Sequence, residues 1–406
     1  MREVSPAEWC SFVVVSIAPN ISLAEIVDFC RFTEPTAEEA ASRTEAVDRV
    51  RNVVTSIWPG ARLEVFGSCA TGLYLPTSDV DAVILDSGCA VPADGLRALA
   101  LSLTRRGVGT GVALIAKARI PIVKFTEATS GLAFDISFDV ANGPAAAAWM
   151  RASMAALPPL RPLTLVLKAF LQQRELNEVY TGGIGSYALV VMIVALLRTY
   201  RVGVEDESDG DGGDDDAEVE PNLGALLLAF FDLYGRQLNA DAVGVSAAGF
   251  YSKARRGWCD ERRPELLSVE DPRDETNDLT RNSFNARAVR TAFDHAHRLL
   301  SAPAKTRTES LLGRVVHLDR ALTGRRQLKG QGPIAAVAAS IANREAEKPE
   351  PEGEPVADGG GDEARERKRL RTKERRNNKR AAKRKAEEDA AGALEEGELP
   401  DEDDDV

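Results

Sequence analysis

Two aspartates one residue apart, Asp79 and Asp81, stand in TSDVDAVIL where the chain enters an apolar run. Carboxylates this close repel each other and add nothing to a core, so something must compensate them, and a divalent cation does so. On a strand, residues i and i+2 point to the same face. A strand beginning here presents both acids together, with Val80, Ala82 and Ile84 packing on the other side. A second segment, LAFDISFDV, carries Asp135 within an apolar run, and laid beside the first it completes a three-carboxylate cluster. Hard oxygen ligands suit Mg²⁺, which keeps several waters and bridges to substrate phosphates. Two such ions activate an attacking hydroxyl and stabilise a leaving pyrophosphate. Gly67-Ser68, separated from Asp79 by ten residues, form a turn whose N–H groups and hydroxyl suit phosphate oxygens. A lone D-x-D is usually a solvated turn, and G-S alone carries almost nothing. The ordered set is informative: G-S, ten residues, D-x-D, then a strand-borne Asp 54 residues later.

The elements that must position these groups follow from periodicity. Residues 5–57 read as helical, with Leu23, Ile26, Val27 and Cys30, then Val47, Val50, Val54 and Ile57, at helical spacing. Trp58-Pro59-Gly60 stops that run. The segments ARLEVFG, DVDAVILD, ARIPIVKF and LAFDISFDV alternate and are β-branched, as strands of one mixed sheet would be. LRALALSLTRRG, between the second and third, reads as a helix across that sheet. From about residue 146 the chain turns to long apolar-striped helices, in AAAAWMRASMAAL, PLTLVLKAFLQQREL, GSYALVVMIVALLRTY and LGALLLAFFDLYGRQL. The expected fold class is therefore α+β. A mixed β-sheet with helices is followed by a helical domain and, after about residue 343, by a disordered charged tail.

Composition sets the limits. The chain has 406 residues, a formal charge of −12 and 44% hydrophobic residues, enough for two domains and tails. The acid is concentrated in 205–220, with ten acidic and no basic residues, and in the terminal EEGELPDEDDDV. The rest is roughly balanced. Five scattered cysteines without a CxxC pair, and three histidines, argue against a zinc site and for reduced thiols inside a cell. No run approaches the roughly 18 uninterrupted apolar residues of a membrane helix, and MREVSPAEWC lacks a secretory pattern. No membrane partner is expected. The tract 365–385 holds thirteen Lys/Arg against two Glu, which suits nuclear import and a sequence-blind grip on RNA phosphate. The acidic terminus would fold back on it and tune it.

G-S-x₁₀-D-x-D with a distal strand Asp resembles the DNA-polymerase-β-like nucleotidyltransferase superfamily. The likeness continues through IWP, FGSCATGLYLPTSDVD, KARIPIVKF, FDISFDVANG, LVLKAFLQQRELNEVYTGGIGSYAL and VEDPRDETNDLTRNSF. Over about residues 20 to 320 the chain is similar to the nuclear poly(A) RNA polymerases of the TRAMP type. The resemblance implies that Asp79, Asp81 and Asp135 are catalytic metal ligands for Mg²⁺ or Mn²⁺, with Asp135 nearest the RNA 3′ hydroxyl. Asp139, four residues on, is the competing choice for that role. Gly67 and Ser68 match the phosphate-contacting residues, Asn142 and Gly143 the pair beside the ribose, and Lys168 the triphosphate lysine. Ser186 and Tyr187 match a hydroxyl on phosphate and a ring under the base, where stacking contributes about 1–3 kcal/mol. Without the family match, Lys168 reads as a snorkelling surface residue and Tyr187 as core packing. Gln172 and Gln173 stand where some relatives carry a second basic residue, which leaves Lys168 as the main cation unless Arg174 reaches in.

In the nucleotide-recognition loop, uridine-specialised relatives place a His where Asn277 stands. An amide both donates and accepts, so Asn277, backed by Arg281, favours ATP over UTP. Without the family, Asn277-Asp278 reads as an Asx turn. The resemblance further implies AMP transfer from ATP to RNA 3′ ends without a template, and residence in the nucleus, in nucleoplasm and nucleolus. It also implies a zinc-knuckle RNA-binding protein and a helicase of a TRAMP-like complex as partners. The expected domains are N-terminal helices 1–47 packing with the central domain, a palm at 48–150, a helical domain at 151–343 with the acidic loop 205–220, and the tail 344–406. Two rivals stand beside this reading: a uridylyl or mixed-nucleotide tailing enzyme, and an inactive RNA-binding scaffold of the same fold.

Overall fold

The computed structural model describes residues 23–116, 120–138, 142–205, 222–304, 306 and 309–317, all within one unit, Met1–Asn343. The expected helix over 5–22, nearly all of the acidic loop, Asp139, the basic tract and the acidic terminus lie outside the described residues.

Helix α1 (Leu23–Thr33) and helix α2 (Ala37–Ile57) form separately rather than as one run. Pro35 intervenes, and Thr36 begins α2 with a capping box. The Glu39 N–H donates to Thr36 Oγ1 at 3.2 Å, and the Thr36 N–H donates to Glu39 Oε2 at 2.8 Å. The next elements are β1 (Arg62–Phe66), a short helix α3 (Gly67–Thr71), β2 (Val80–Leu85), α4 (Pro92–Arg105), β3 (Gly109–Ile115), β4 (Ile122–Glu127) and β5 (Ala133–Phe138). The five strands make one sheet in the order β1-β2-β5-β4-β3. The β2–β5 pair is parallel and the other pairs are antiparallel, so the sheet is mixed as expected. Val80, Ala82 and Ile84 are buried in a core shared with Val47, Val50 and Val54 of α2 and Leu96, Leu99 and Leu103 of α4. Gly67-Ser68 open α3 instead of forming a free turn. Strand β3 was not among the expected strands; its glycine-rich sequence is bulged between Thr110 and Ala113.

The helical half contains α5 (Asn142–Ala156), α6 (Leu160–Gln172), a 3₁₀ turn (Val179–Thr181), α7 (Ser186–Glu205), α8 (Leu223–Asp232) and α10 (Ala286–Ser301). Between α8 and α10 lie a π turn (Leu233–Gln237), the hairpin β6 (Val243–Ser246) and β7 (Gly249–Ser252), the short α9 (Lys253–Arg256), and a second hairpin, β8 (Glu270–Asp271) and β9 (Asp274–Asp278). Ile26 and Phe29 of α1 share a second core with α6, α7, α8 and α10. At its centre, Phe170 lies 4.9 Å from Phe231 and Phe230 lies 5.3 Å from Phe293, centroid to centroid. Glu25 of α1 accepts the Leu312 N–H at 2.9 Å and the Ser310 hydroxyl at 2.7 Å, tying the last described residues to the first. No helix among the described residues is long and apolar enough to cross a membrane.

Candidate active site

Strand register alone aligns the charged groups. Phe66 pairs with Asp81, Asp81 with Asp135, and Asp135 with Lys124, so one row runs across β1, β2, β5 and β4. Asp79 precedes β2 by one residue and shares the face of Asp81. Oxygens of Asp79, Asp81 and Asp135 all lie within 4.8 Å of one another. The approach to Asp79 is braced from α2. Arg43 donates to the Ser78 carbonyl at 3.1 Å and lies over the Tyr74 ring at 4.7 Å. Gly67 has φ +64, and a Cβ on it would collide with the Asp81 carboxylate. Only glycine allows β1 to turn into α3 against that acid.

The electrostatics show what the site lacks. Burial, then the charges of Asp79 and Asp135, push the Asp81 carboxyl up to about 7, against the opposing pull of Lys168 and Lys124. Burial also raises Asp135, while Lys124 opposes it. Lys124 Nζ donates to Asp135 Oδ2 at 3.0 Å, but Asp135 Oδ1 is buried with no hydrogen-bond partner. A buried carboxylate oxygen left over in a cluster of three acids is a donor set of hard oxygens awaiting a hard cation. These residues fit Mg²⁺ or Mn²⁺.

The helical half supplies the opposite wall. Lys168 of α6 is half-buried and donates to the Leu73 carbonyl at 2.8 Å. Burial pulls its ammonium down to about 8, while the Asp81 and Asp79 charges hold it up. Arg174 instead stacks on Phe170, 3.8 Å from the ring centroid, and donates to the Phe170 carbonyl. Ser68 stands at the start of α3 and Ser186 at the start of α7. Asn142 opens α5 and is exposed; Gly143 beside it lets the Phe66 ring close in, since a Cβ there would come within 2.5 Å of it.

Tyr187 and Asn277 are brought together by a residue that the sequence reading did not single out. Asp271 accepts from the Tyr187 hydroxyl at 2.9 Å, from Asn277 Nδ2 at 3.0 Å and from the Arg273 N–H at 3.0 Å. The Tyr187 ring is also met edge-on by Trp149 at 5.8 Å. Arg281 is exposed just beyond β9, its backbone N–H donating to the Asp278 carbonyl at 3.4 Å. Two further charged groups were missed. Lys124 has a signal in the sequence, because in IPIVKF it alternates with the buried Val123 and Phe125 and so shares the acid-bearing face. Glu178 had none. It reaches the cluster only through the fold, and burial and Asp79 raise its carboxyl while Lys124 lowers it.

A mixed sheet with converging acids on one face, walled by helices carrying a lysine and a tyrosine, is a nucleotidyltransferase palm with its helical companion. Comparison with known proteins agrees. Residues 23–148 match the family model described as poly(A) RNA polymerase, mitochondrial-like, central palm domain. Residues 222–277 match the one described as Cid1 family poly A polymerase. Poly(A) RNA polymerase protein 2 of Saccharomyces cerevisiae is 36% identical over 307 residues, which cover 72% of this chain and 51% of its own length. Trf4-2 of Drosophila melanogaster, named an inactive poly(A) RNA polymerase, is 34% identical over 301 residues, covering 72% of this chain and 71% of its own. The solved polymerase core of TRAMP, an RNA surveillance complex, superposes with a TM-score of 0.63 at 35% identity, covering 72% of this chain and 92% of that one. The chain belongs to the TRAMP-type poly(A) RNA polymerase family. It spans about half the length, 40–51%, of the first three curated relatives it matches.

Proposed function

We propose that this protein adds AMP from ATP to RNA 3′ ends without a template. The observation that carries this is the convergence of Asp79, Asp81 and Asp135 with Lys168 opposite. The 3′ oxygen attacks the α-phosphate, the bond to the β-phosphate breaks, pyrophosphate leaves, and the hydroxyl proton passes to the Asp135 carboxylate. Asp79, Asp81 and Asp135 would hold divalent ions, which when bound would supply charge stabilisation to the phosphoryl transfer. Gly67, Ser68, Lys168 and Ser186 bind the triphosphate, Lys168 taking the charge of the departing pyrophosphate. Asn142 and Gly143 border the ribose, and Tyr187 lies under the base. Asn277, its amide held by Asp271, reads the base edge with Arg281 behind it. Positioning and charge carry the catalysis, with no covalent intermediate.

The domain division that goes with this is N-terminal helices to about residue 47, a palm at 48–150 and a helical domain at 151–343. Action in the nucleus, marking RNAs for exosome processing with a zinc-knuckle protein and a helicase, fits the relatedness to the TRAMP core. An inactive scaffold is the rival that the Drosophila relative raises. Retention of three mutually repelling acids on one face favours the enzyme, since a scaffold gains nothing from them. The test is extension of a short single-stranded RNA with each of the four nucleotides and with Mg²⁺ or Mn²⁺. Extension with ATP well above UTP is expected. No extension in any combination refutes the enzyme, and equal use of UTP refutes the role given to Asn277.

A further inference from the structure

Two aromatic rings among the described residues stand in solvent. Tyr180 is 81% exposed and Phe284 is 53% exposed. They sit on separate loops, 104 positions apart, that are stapled to each other. Asn285 Nδ2 donates to the Thr181 carbonyl at 2.5 Å, the Asn285 N–H to the Gly182 carbonyl at 3.0 Å, and the Ser283 hydroxyl to the Gly183 carbonyl at 2.7 Å. Gly182, at φ +86, lies so close beneath the Phe284 ring that a Cβ would come within 2.6 Å of it. The two loops are thus joined by backbone-directed hydrogen bonds, and each presents an exposed aromatic ring.

Their location suggests what they meet. Tyr180 is two residues from Glu178, whose carboxyl feels the charges of Asp79 and Asp135. We propose that Tyr180 and Phe284 form a stacking platform for bases near the 3′ end of single-stranded RNA. The inference rests on the tailing function proposed above. Stacking on exposed rings is tolerant of sequence, because every base has a π-face, and unpaired ends are where bases are free to splay onto a protein. Such a platform would hold the acceptor without reading it.

The test compares the full chain with Tyr180→Ala, Tyr180→Phe and Phe284→Ala. It measures fluorescence anisotropy of a short labelled RNA without nucleotide, and separate KM values for RNA and ATP. A second RNA of the same length carries abasic sites in its last few nucleotides. Each alanine variant should weaken binding of the ordinary RNA by about 5- to 100-fold and raise the RNA KM in step. The ATP KM should stay unchanged, Tyr180→Phe should bind as the parent does, and the abasic RNA should bind all proteins with equal, reduced affinity. Tyr180 is so exposed that its truncation leaves the fold intact even if Phe284→Ala does not. Unchanged RNA affinity in Tyr180→Ala overturns the platform, as does an equal loss on abasic RNA, and the patch then falls to a protein partner. If the parent itself neither binds nor extends the RNA, the tailing function fails with it. A parent that extends RNA and is indifferent to Tyr180→Ala overturns the platform alone.

Discussion

Glu127 and Asp135 lie on adjacent strands of the same sheet, and the structure treats them in opposite ways. The Glu127 side chain is 1% exposed, yet it accepts from Arg49 Nε and Nη2 at 3.0 Å, from the Ser130 hydroxyl at 2.6 Å and from the Ser130 N–H at 2.8 Å. Burial alone would raise its carboxyl, but these donors, led by Arg49, hold it down at about 2. Asp135 has one donor, Lys124, and a buried oxygen with none, and its carboxyl is raised. Burial is therefore not what marks a functional acid. Glu127 is buried with a full set of donors, whereas Asp135 in the acid cluster is buried short of them, a demand that a bound cation would meet.

The contrast is broken most severely by removing the site acids. Asp79→Ala combined with Asp81→Ala should cut RNA tailing by on the order of 10³-fold or more, the scale of losing charge stabilisation at the reacting phosphate. The metal-free variant should melt no lower than the parent, since mutual repulsion is relieved. Unchanged tailing by the folded variant would remove these residues from the mechanism. The opposite pattern is expected at the other acid. Glu127→Gln should lower stability by about 1–3 kcal/mol through its lost charged hydrogen bonds and leave Mn²⁺ binding, read by calorimetry, as it was. The sign of its pH dependence follows from the depressed carboxyl. Its contribution is fully present above the ordinary 4.5 and is lost as pH falls toward about 2. Acid titration of the melting temperature should therefore be shallower in Glu127→Gln across that window, and parallel curves would contradict the assignment.

The acid-bearing strands were readable because β5 alternates, with Phe134, Ile136 and Phe138 opposite Asp135, and β2 is an apolar, β-branched run interrupted only by Asp81. A five-residue strand such as β1 was also legible, because Trp58-Pro59-Gly60 marks where it can start. Strand β3 was not, since GTGVALI combines strand breakers with an edge position where pairing comes from one side only. The hairpin β8–β9 was hidden for a different reason: DPRDETND is polar throughout, and it is held by Asp271 and by neighbours far away in the chain. Lys124 and Asp271 share that difficulty. A single lysine on a strand reads as a solvated face, and a single aspartate in a polar loop reads as a turn, until the fold shows which groups they touch.

Lys124 offers the finest probe of the comparison, because it is the one donor that Asp135 does have. Its ammonium and a divalent ion answer the same excess of negative charge, so each lessens the need for the other. Lys124→Met keeps the length of the side chain and removes the charge, leaving Asp135 beside Asp81 with no nearby counter-charge on its own sheet. The metal-free variant should then melt slightly below the parent. Added Mn²⁺ should raise the melting temperature of Lys124→Met by more than it raises that of the parent, bringing the two proteins together at saturation. Lys124→Arg, which restores the positive charge, should behave as the parent does. A ligand-induced shift that is equal in all three proteins would mean that Lys124 is only a surface cation and that the shortfall at Asp135 is set by burial alone.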